Sequence, residues 1–255
     1  FVNDAFERGA RRIILGLGGS ATNDAGIGIL AALGFRFLDA DKKELMPTGE
    51  SLVKIITIIP PPIISSIRFE IAADVENPLY GPDGAAYVYG PQKGADAGMV
   101  QQLDLGLKNI ADVIKSQFDK EIAFFPGAGA AGGIAAGLAA FFEVEMKRGV
   151  DLVLNANGLE QELPGATLII TGEGKIDNQS GLGKVVGTMA ALADKYEVPC
   201  IAFCGMVEAT PQEIAAIGLK AVYPLETAGL SLEESMANGY SLLRSKTEEV
   251  IGAWL

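Results

Sequence analysis

Histidine is absent from all 255 residues of the sequence. That removes Ser-His-Asp hydrolysis, Cys-His chemistry, histidine-bearing zinc sites and a histidine general base. Proton handling is left to Asp, Glu, Lys, Tyr or water. Cysteine is scarce too: only Cys200 and Cys204 occur, both inside the apolar run 198–204. Their spacing is not Cys-x-x-Cys, so neither a redox motif nor a zinc site is supported, and they read as small buried hydrophobes. Nothing asks for an oxidising compartment, so a cytoplasmic location is expected. No apolar run reaches the roughly 18 residues that cross a bilayer, so no membrane segment is expected. The mixed start from Phe1 to Arg12 lacks the basic and apolar regions of a signal peptide. The chain opens on Phe rather than Met, and a longer natural N-terminus is expected. Positive charge is short as well, with 20 Lys and Arg against 32 Asp and Glu and a net charge of -12. Nucleic-acid binding needs clustered cations, so no nucleic-acid partner is expected. A small anionic substrate stays open, because local cations and backbone amides can outweigh a distant negative surface.

What the chain does have is an apolar half, 32 glycines and the length for one large domain or two smaller ones. Strands are predicted at 11–17 and 68–73, a hairpin around 35–43, and an amphipathic helix at 101–118. A small-residue loop at 126–133 opens a helix over 134–142. From about Ala166, strands at 167–171, 199–204 and 221–224 alternate with helices at 183–196, 211–217 and 232–250. That alternation predicts βαβ units around a parallel sheet. The glycine-rich, hairpin-like first half predicts a second, different α/β unit.

Four segments carry candidate chemistry. The first, GLGGSATND over 16–24, ends a strand in Gly18 and Gly19, then offers the hydroxyls of Ser20 and Thr22 and the acid Asp24 ahead of a helix. Glycines let amides approach a phosphate, although the same residues also make a tight strand-to-helix turn. They match Gly-x-Gly-x-x-Ala as well, a dinucleotide fingerprint, with Asp39 or Asp41 as the ribose acid. A second formal match, at 127–132 and including Gly129, follows Pro126 rather than a strand. It reads either as close helix packing or as an anion-facing helix start. The third segment, TGEGKIDNQS over 171–180 followed by Lys184, is predicted to lie beyond the carboxyl end of a buried strand, the ligand-binding edge of open α/β sheets. Gly172, Glu173, Lys175, Asp177, Gln179 and Lys184 gather there. Two acids can hold Mg²⁺ or take a proton, and two lysines can neutralise phosphate oxygens. The stretch is not a Walker A loop, because Asn178 and Val185 stand where that pattern needs Gly and Ser or Thr. The fourth pairs Asp74, at a strand end, with Lys93 in GPQKG over 90–94. Each is either a site residue or an ordinary turn or surface residue.

Taken in order, IILGLGGSATNDAGIGILAALG (13–34), ADVENPL (73–79), GPQKG (90–94), PGAGAAGG (126–133) and TGEGKIDNQ (171–179) strongly resemble the bacterial glycerate kinase family of the two-domain type. The resemblance runs over essentially the whole chain. It implies Mg²⁺-dependent transfer of the γ-phosphoryl group of ATP to a hydroxyl of D-glycerate. It also implies a flavodoxin-like α/β domain, here from residue 163 to 255, with a second α/β domain, 1–162, inserted into it. The family's N-terminal Asp-Ser-Phe-Lys segment has no counterpart in this sequence. Ala25 replaces the first of two glycines after the acid matched by Asp24, and Val185-Val186 replaces Ala-Pro.

On this resemblance, Gly18, Gly19, Ser20, Thr22, Lys93, Gly129, Gly172, Gln179 and Lys184 are expected to bind substrate or nucleotide. Lys175 would neutralise the moving phosphoryl group, and Asp177 or Asp74 would orient or deprotonate the hydroxyl. Asp24 and Glu173 are the candidate Mg²⁺ residues. The rival readings are a nicotinamide-dependent oxidoreductase and a non-catalytic ligand-binding fragment. Homo-oligomerisation, and the choice between 2- and 3-phosphoglycerate, stay open.

Overall fold

The computed structural model describes residues 1–64, 66–178, 180–181, 185–225 and 231–255. The chain divides into two units, Phe1–Gly149 and Val150–Leu255. The first contains α1 (Val2–Glu7), β1 (Arg12–Gly16), α2 (Ile27–Ala32), β2 (Arg36–Leu38), β3 (Thr57–Ile59), β4 (Arg68–Ala72), α3 (Ala85–Tyr89), α4 (Ala97–Phe118), α5 (Ala130–Ala139) and β5 (Glu143–Lys147). Strands β1, β4 and β5 form a parallel sheet with β4 in the centre.

Alternation along β4 explains the two faces of that sheet. Phe69 and Ile71 are fully buried in the first unit's core. Arg68, Glu70 and Ala72 point the other way. Glu70 is only 2% exposed yet charged, and the neighbouring strands neutralise it. Arg12 on β1 grips it with two nitrogens, one at 2.9 Å, and Lys147 on β5 approaches to 3.2 Å. The Arg12 hydrogen bond, aided by Lys147, holds the Glu70 carboxyl down to about 2, against the opposing effect of burial. The unfolded chain therefore binds this proton more readily than the folded one. The stabilisation is complete above the ordinary carboxylate pKa near 4.5 and is lost as pH falls from there toward 2. Melting temperature should drop across that window in the wild type, and Glu70→Gln should flatten the drop while lowering stability at neutral pH.

Helix α4 starts at Ala97, four residues before the expected Gln101. Asp96 caps it by accepting from the Met99 amide at 2.8 Å. Its buried face carries Val100, Leu107, Ile110, Ala111 and Ile114. The expected hairpin near 35–43 forms and runs slightly past its expected end: the Asp39 amide donates to the Lys43 carbonyl at 3.0 Å and the Leu45 amide to that of Phe37 at 2.8 Å. The Asp39 carboxylate also accepts from the amides of Asp41 and Lys43 and closes the tight turn, with the bridge Leu38–Glu44 just beyond it. Strand β2 pairs in addition with β3, antiparallel.

Small residues let α5 lie directly on the loop that follows β1. A Cβ on Gly137 would sit 1.7 Å from the Ala25 carbonyl oxygen, and one on Gly132 would sit 2.2 Å from that of Thr22. Both contacts are with backbone, which cannot swing aside. Gly137→Ala should therefore destabilise the first unit by about 3 kcal/mol, read as an earlier urea transition. Gly239→Ala, where nothing lies within 4 Å, serves as the control and should not destabilise.

The second unit holds α6 (Gly149–Asn157, opening on the last residue of the first unit), α7 (Leu159–Glu162), β6 (Ile169–Ile176), α8 (Val185–Lys195), β7 (Cys200–Val207), α9 (Pro211–Ile217), β8 (Ala221–Pro224), α10 (Leu232–Ala237) and α11 (Gly239–Val250). Its sheet is parallel in the order β6-β7-β8. Both units are thus α/β with a parallel sheet. The division falls before residue 162 because Leu154, Leu159 and Leu163 pack with the second core, around Ile169, Cys200 and Ala202. Cys200 and Cys204 are buried, and burial pushes both thiols up to about 11, which keeps them protonated. Among the described residues, no helix is long and apolar enough to cross a membrane.

Candidate functional site

In parallel sheets the strand ends open a crevice at the carboxyl edge. In the first unit, β1 and β4 end side by side, with Gly16 opposite Ala72. Beyond them lies a cavity of about 290 Å³ lined by Leu17, Gly18, Gly19, Ser20, Asp74, Tyr89, Gln92 and Lys93, among others. Lys93 ties two distant motifs together. Its Nζ donates to Ser20 Oγ at 3.1 Å and to the Thr22 carbonyl at 2.6 Å, across more than 70 residues of sequence. Burial pulls the Lys93 ammonium below its ordinary pKa, with Asp24 opposing that shift. The loop beside it keeps its donors free: among the described residues, no amide from Gly18 to Asp24 donates a hydrogen bond. Unpaired amides beside a cation suit an anion.

Lys93 also lines a second, open cavity of about 430 Å³, shared with Thr22, Asn23, Asp24, Thr48 and Glu50. Asp24 Oδ1 accepts from the Gly26 amide at 2.9 Å and so shapes the turn into α2. Ala25, where the resemblance expects glycine, is fully buried with φ of 52°, and its amide donates to the Gly132 carbonyl. That left-handed value strains a residue with a side chain. Gly129 lies at neither cavity. Its amide donates to the Asn77 carbonyl at 2.9 Å, and its missing Cβ leaves room for the Pro78 carbonyl. Of the two readings of the 127–132 glycines, this arrangement supports close packing. Ala130 and Ala131, not Gly129, reach the first cavity.

The second unit gathers another set at the end of β6. The strand runs to Ile176, so Gly172, Glu173, Gly174 and Lys175 lie within it rather than in the loop expected from the sequence. The physical reason is close backbone approach. A Cβ on Gly172 would lie 2.5 Å from the Phe203 carbonyl, and one on Gly205 would lie 2.7 Å from that of Gly174. Gly172 thus serves strand pairing. Fully buried Ser180 donates from Oγ to Glu173 and accepts from the Asp177 amide at 3.1 Å. Lys175 Nζ lies 2.7 Å from Glu208 and 3.8 Å from Asp177. The Glu208 hydrogen bond, then its charge and that of Asp177, raise the Lys175 pKa against partial desolvation. Glu208, just past β7, was missed in the sequence. Parallel pairing of Ile176 with Val207 places it beside Asp177. Gln179 and Lys184 lie outside the described residues. Among the described residues, no group of three His, Cys, Asp or Glu could hold a metal.

A model of the glycerate kinase family matches residues 1–255. The chain belongs to the glycerate kinase family. It is 40% identical to a glycerate kinase of Halalkalibacterium halodurans over 98% of this chain and 67% of that relative. It is 41% identical to the glycerate 2-kinase of Escherichia coli K12 over 92% of this chain and 63% of that relative. A crystal structure named as a glycerate kinase 2 of Salmonella typhimurium LT2 matches with a TM-score of 0.80 at 35% identity, covering 100% of this chain and 68% of that one. The chain therefore spans about two thirds of the length of these family members.

Proposed function

We propose that this chain carries out its part of an ATP-dependent phosphorylation of D-glycerate, releasing phosphoglycerate and ADP. Family membership supports the reaction class. The observation that carries the reading is Lys93, which joins GLGGSATND to GPQKG beside Asp74 and a row of free amides. In phosphoryl transfer the acceptor hydroxyl oxygen forms the new bond to the γ-phosphorus, the bond to the β–γ bridging oxygen breaks, and the hydroxyl proton must be accepted. There is little covalent work for the protein, so catalysis is mostly positioning and charge neutralisation.

Gly18, Gly19, Ser20 and Thr22 would supply amides and hydroxyls to an anionic group of the reactants, with Lys93 as the fixed cation. Asp74, whose Oδ1 also accepts from the Gly149 amide at 3.3 Å, and Asp177 are the candidates to take the hydroxyl proton. Lys175 would neutralise phosphoryl charge by exchanging its carboxylate partners for phosphate oxygens. Mg²⁺ fits this donor set only as an ion that keeps much of its water and rides on nucleotide phosphates, since no three-ligand cluster exists among the described residues. Asp24 or Glu173, each with one oxygen already engaged, would hold it, and the ion would supply further charge neutralisation. The inserted-domain arrangement and a cytoplasmic location belong to the same proposal.

ADP release on mixing the purified protein with ATP, Mg²⁺ and D-glycerate tests the reading. D-glycerate-dependent ADP is expected. Quenching of NADH fluorescence without ATP consumption would instead favour the oxidoreductase, and ligand binding without turnover the non-catalytic fragment.

A further inference from the structure

We infer that the cavity at the carboxyl edge of β1 and β4 is the subsite of the acceptor, a compact hydroxycarboxylate, and that Tyr89 sets the upper limit on its size. The inference rests on the phosphoryl-transfer reading and sharpens it, because the free amides and Lys93 would serve a phosphate or a carboxylate equally well. Size and charge divide the two. At about 290 Å³ the space is at the bottom of the range, roughly 300 to 1,000 Å³, that holds drug-sized ligands. A three-carbon acid fits within it whole, whereas only part of a nucleoside triphosphate would. Asp74 lines the same space. Its carboxylate opposes a polyanion but accepts readily from the hydroxyl of a monoanion, while Lys93 and the Gly18 and Gly19 amides take the carboxylate at the other end.

Tyr89 makes a fixed wall of this space. Its phenol donates to Asn77 Oδ1 at 2.5 Å, and Asn77 Nδ2 donates in turn to the Asp83 carbonyl at 2.9 Å. The ring is thereby held at both ends, by the backbone of α3 and by Asn77, which acts as a positioning residue. The next turn of chain carries Gln92 and Lys93 into the same cavity. A ring locked in this way cannot swing aside for a longer acid.

Calorimetric titration of the wild type, Tyr89→Ala and Tyr89→Phe with D-glycerate, a four-carbon polyhydroxy acid and ATP, each alone, tests this. Tyr89→Ala should shift the preference toward the longer acid by at least about tenfold and leave ATP affinity unchanged. Tyr89→Phe keeps the wall but loses its anchor, so it should keep the selectivity and weaken D-glycerate binding a few-fold. Should Tyr89→Ala fail to fold, Tyr89→Leu shortens the same wall. Weakened ATP binding with unchanged acid selectivity would overturn the assignment. D-glycerate binding that Tyr89→Ala reshapes, without ADP release by the wild type, would sink the kinase reading while upholding the subsite.

Discussion

Lys93→Ala should reduce kcat/KM for D-glycerate about a thousandfold, equivalent to about 4 kcal/mol of lost transition-state stabilisation. Two effects add. The anion loses the side-chain cation that lines that cavity, and the Ser20 hydroxyl and Thr22 carbonyl lose the donor that holds them. Lys93→Met separates the two, since it keeps the apolar stem between the cavities without the charge. If charge dominates, Met and Ala behave alike. Lys93→Arg should recover only part of the loss, because a planar guanidinium cannot reproduce an ammonium seated on two oxygens in a half-buried slot. Steady-state kinetics with each substrate varied in turn reads all three variants, and circular dichroism confirms that they fold.

Asp177→Asn should lower turnover by about three orders of magnitude with the fold intact. The backbone amide of residue 177 still donates to Ser180, and Lys175 still has Glu208 at 2.7 Å, so the local scaffold survives. What disappears is a carboxylate able to accept a proton and to share Lys175 at 3.8 Å. Turnover equal to the wild type would remove Asp177 from the mechanism and leave Asp74 as the base.

The parts of the site that follow from local pattern were legible in the sequence. An apolar run leading into Gly18 and Gly19 places the end of β1 one residue beyond Gly16, and Asp74, expected at a strand end, lies two residues past β4. Lys93 could be named as a candidate, but not its partners, because a contact across more than 70 residues leaves no local trace. Strand β5, Glu143–Lys147, was not found. Its sequence EVEMK alternates charge with apolar residues because one face carries Glu145 and Lys147 into the ion-pair network around Glu70 and Arg68. Charge on that face disguises a strand as a solvated turn. The glycines at 127–133 read as one motif but serve close contact between chain segments, which depends on what they meet rather than on their spacing. Tyr89 and Glu208 carried no motif. Each becomes visible only once an adjacent segment places it, Tyr89 through Asn77 and Glu208 through the register of β6 with β7.

A crystal structure of the protein soaked with D-glycerate tests the central claim most directly. The account predicts the acid in the cavity beyond β1 and β4, with its carboxylate within hydrogen-bond reach of Lys93 Nζ and the Gly18 or Gly19 amide. D-glycerate bound elsewhere, with Lys93 still seated on Ser20 and Thr22 and nothing beside it, would contradict the account.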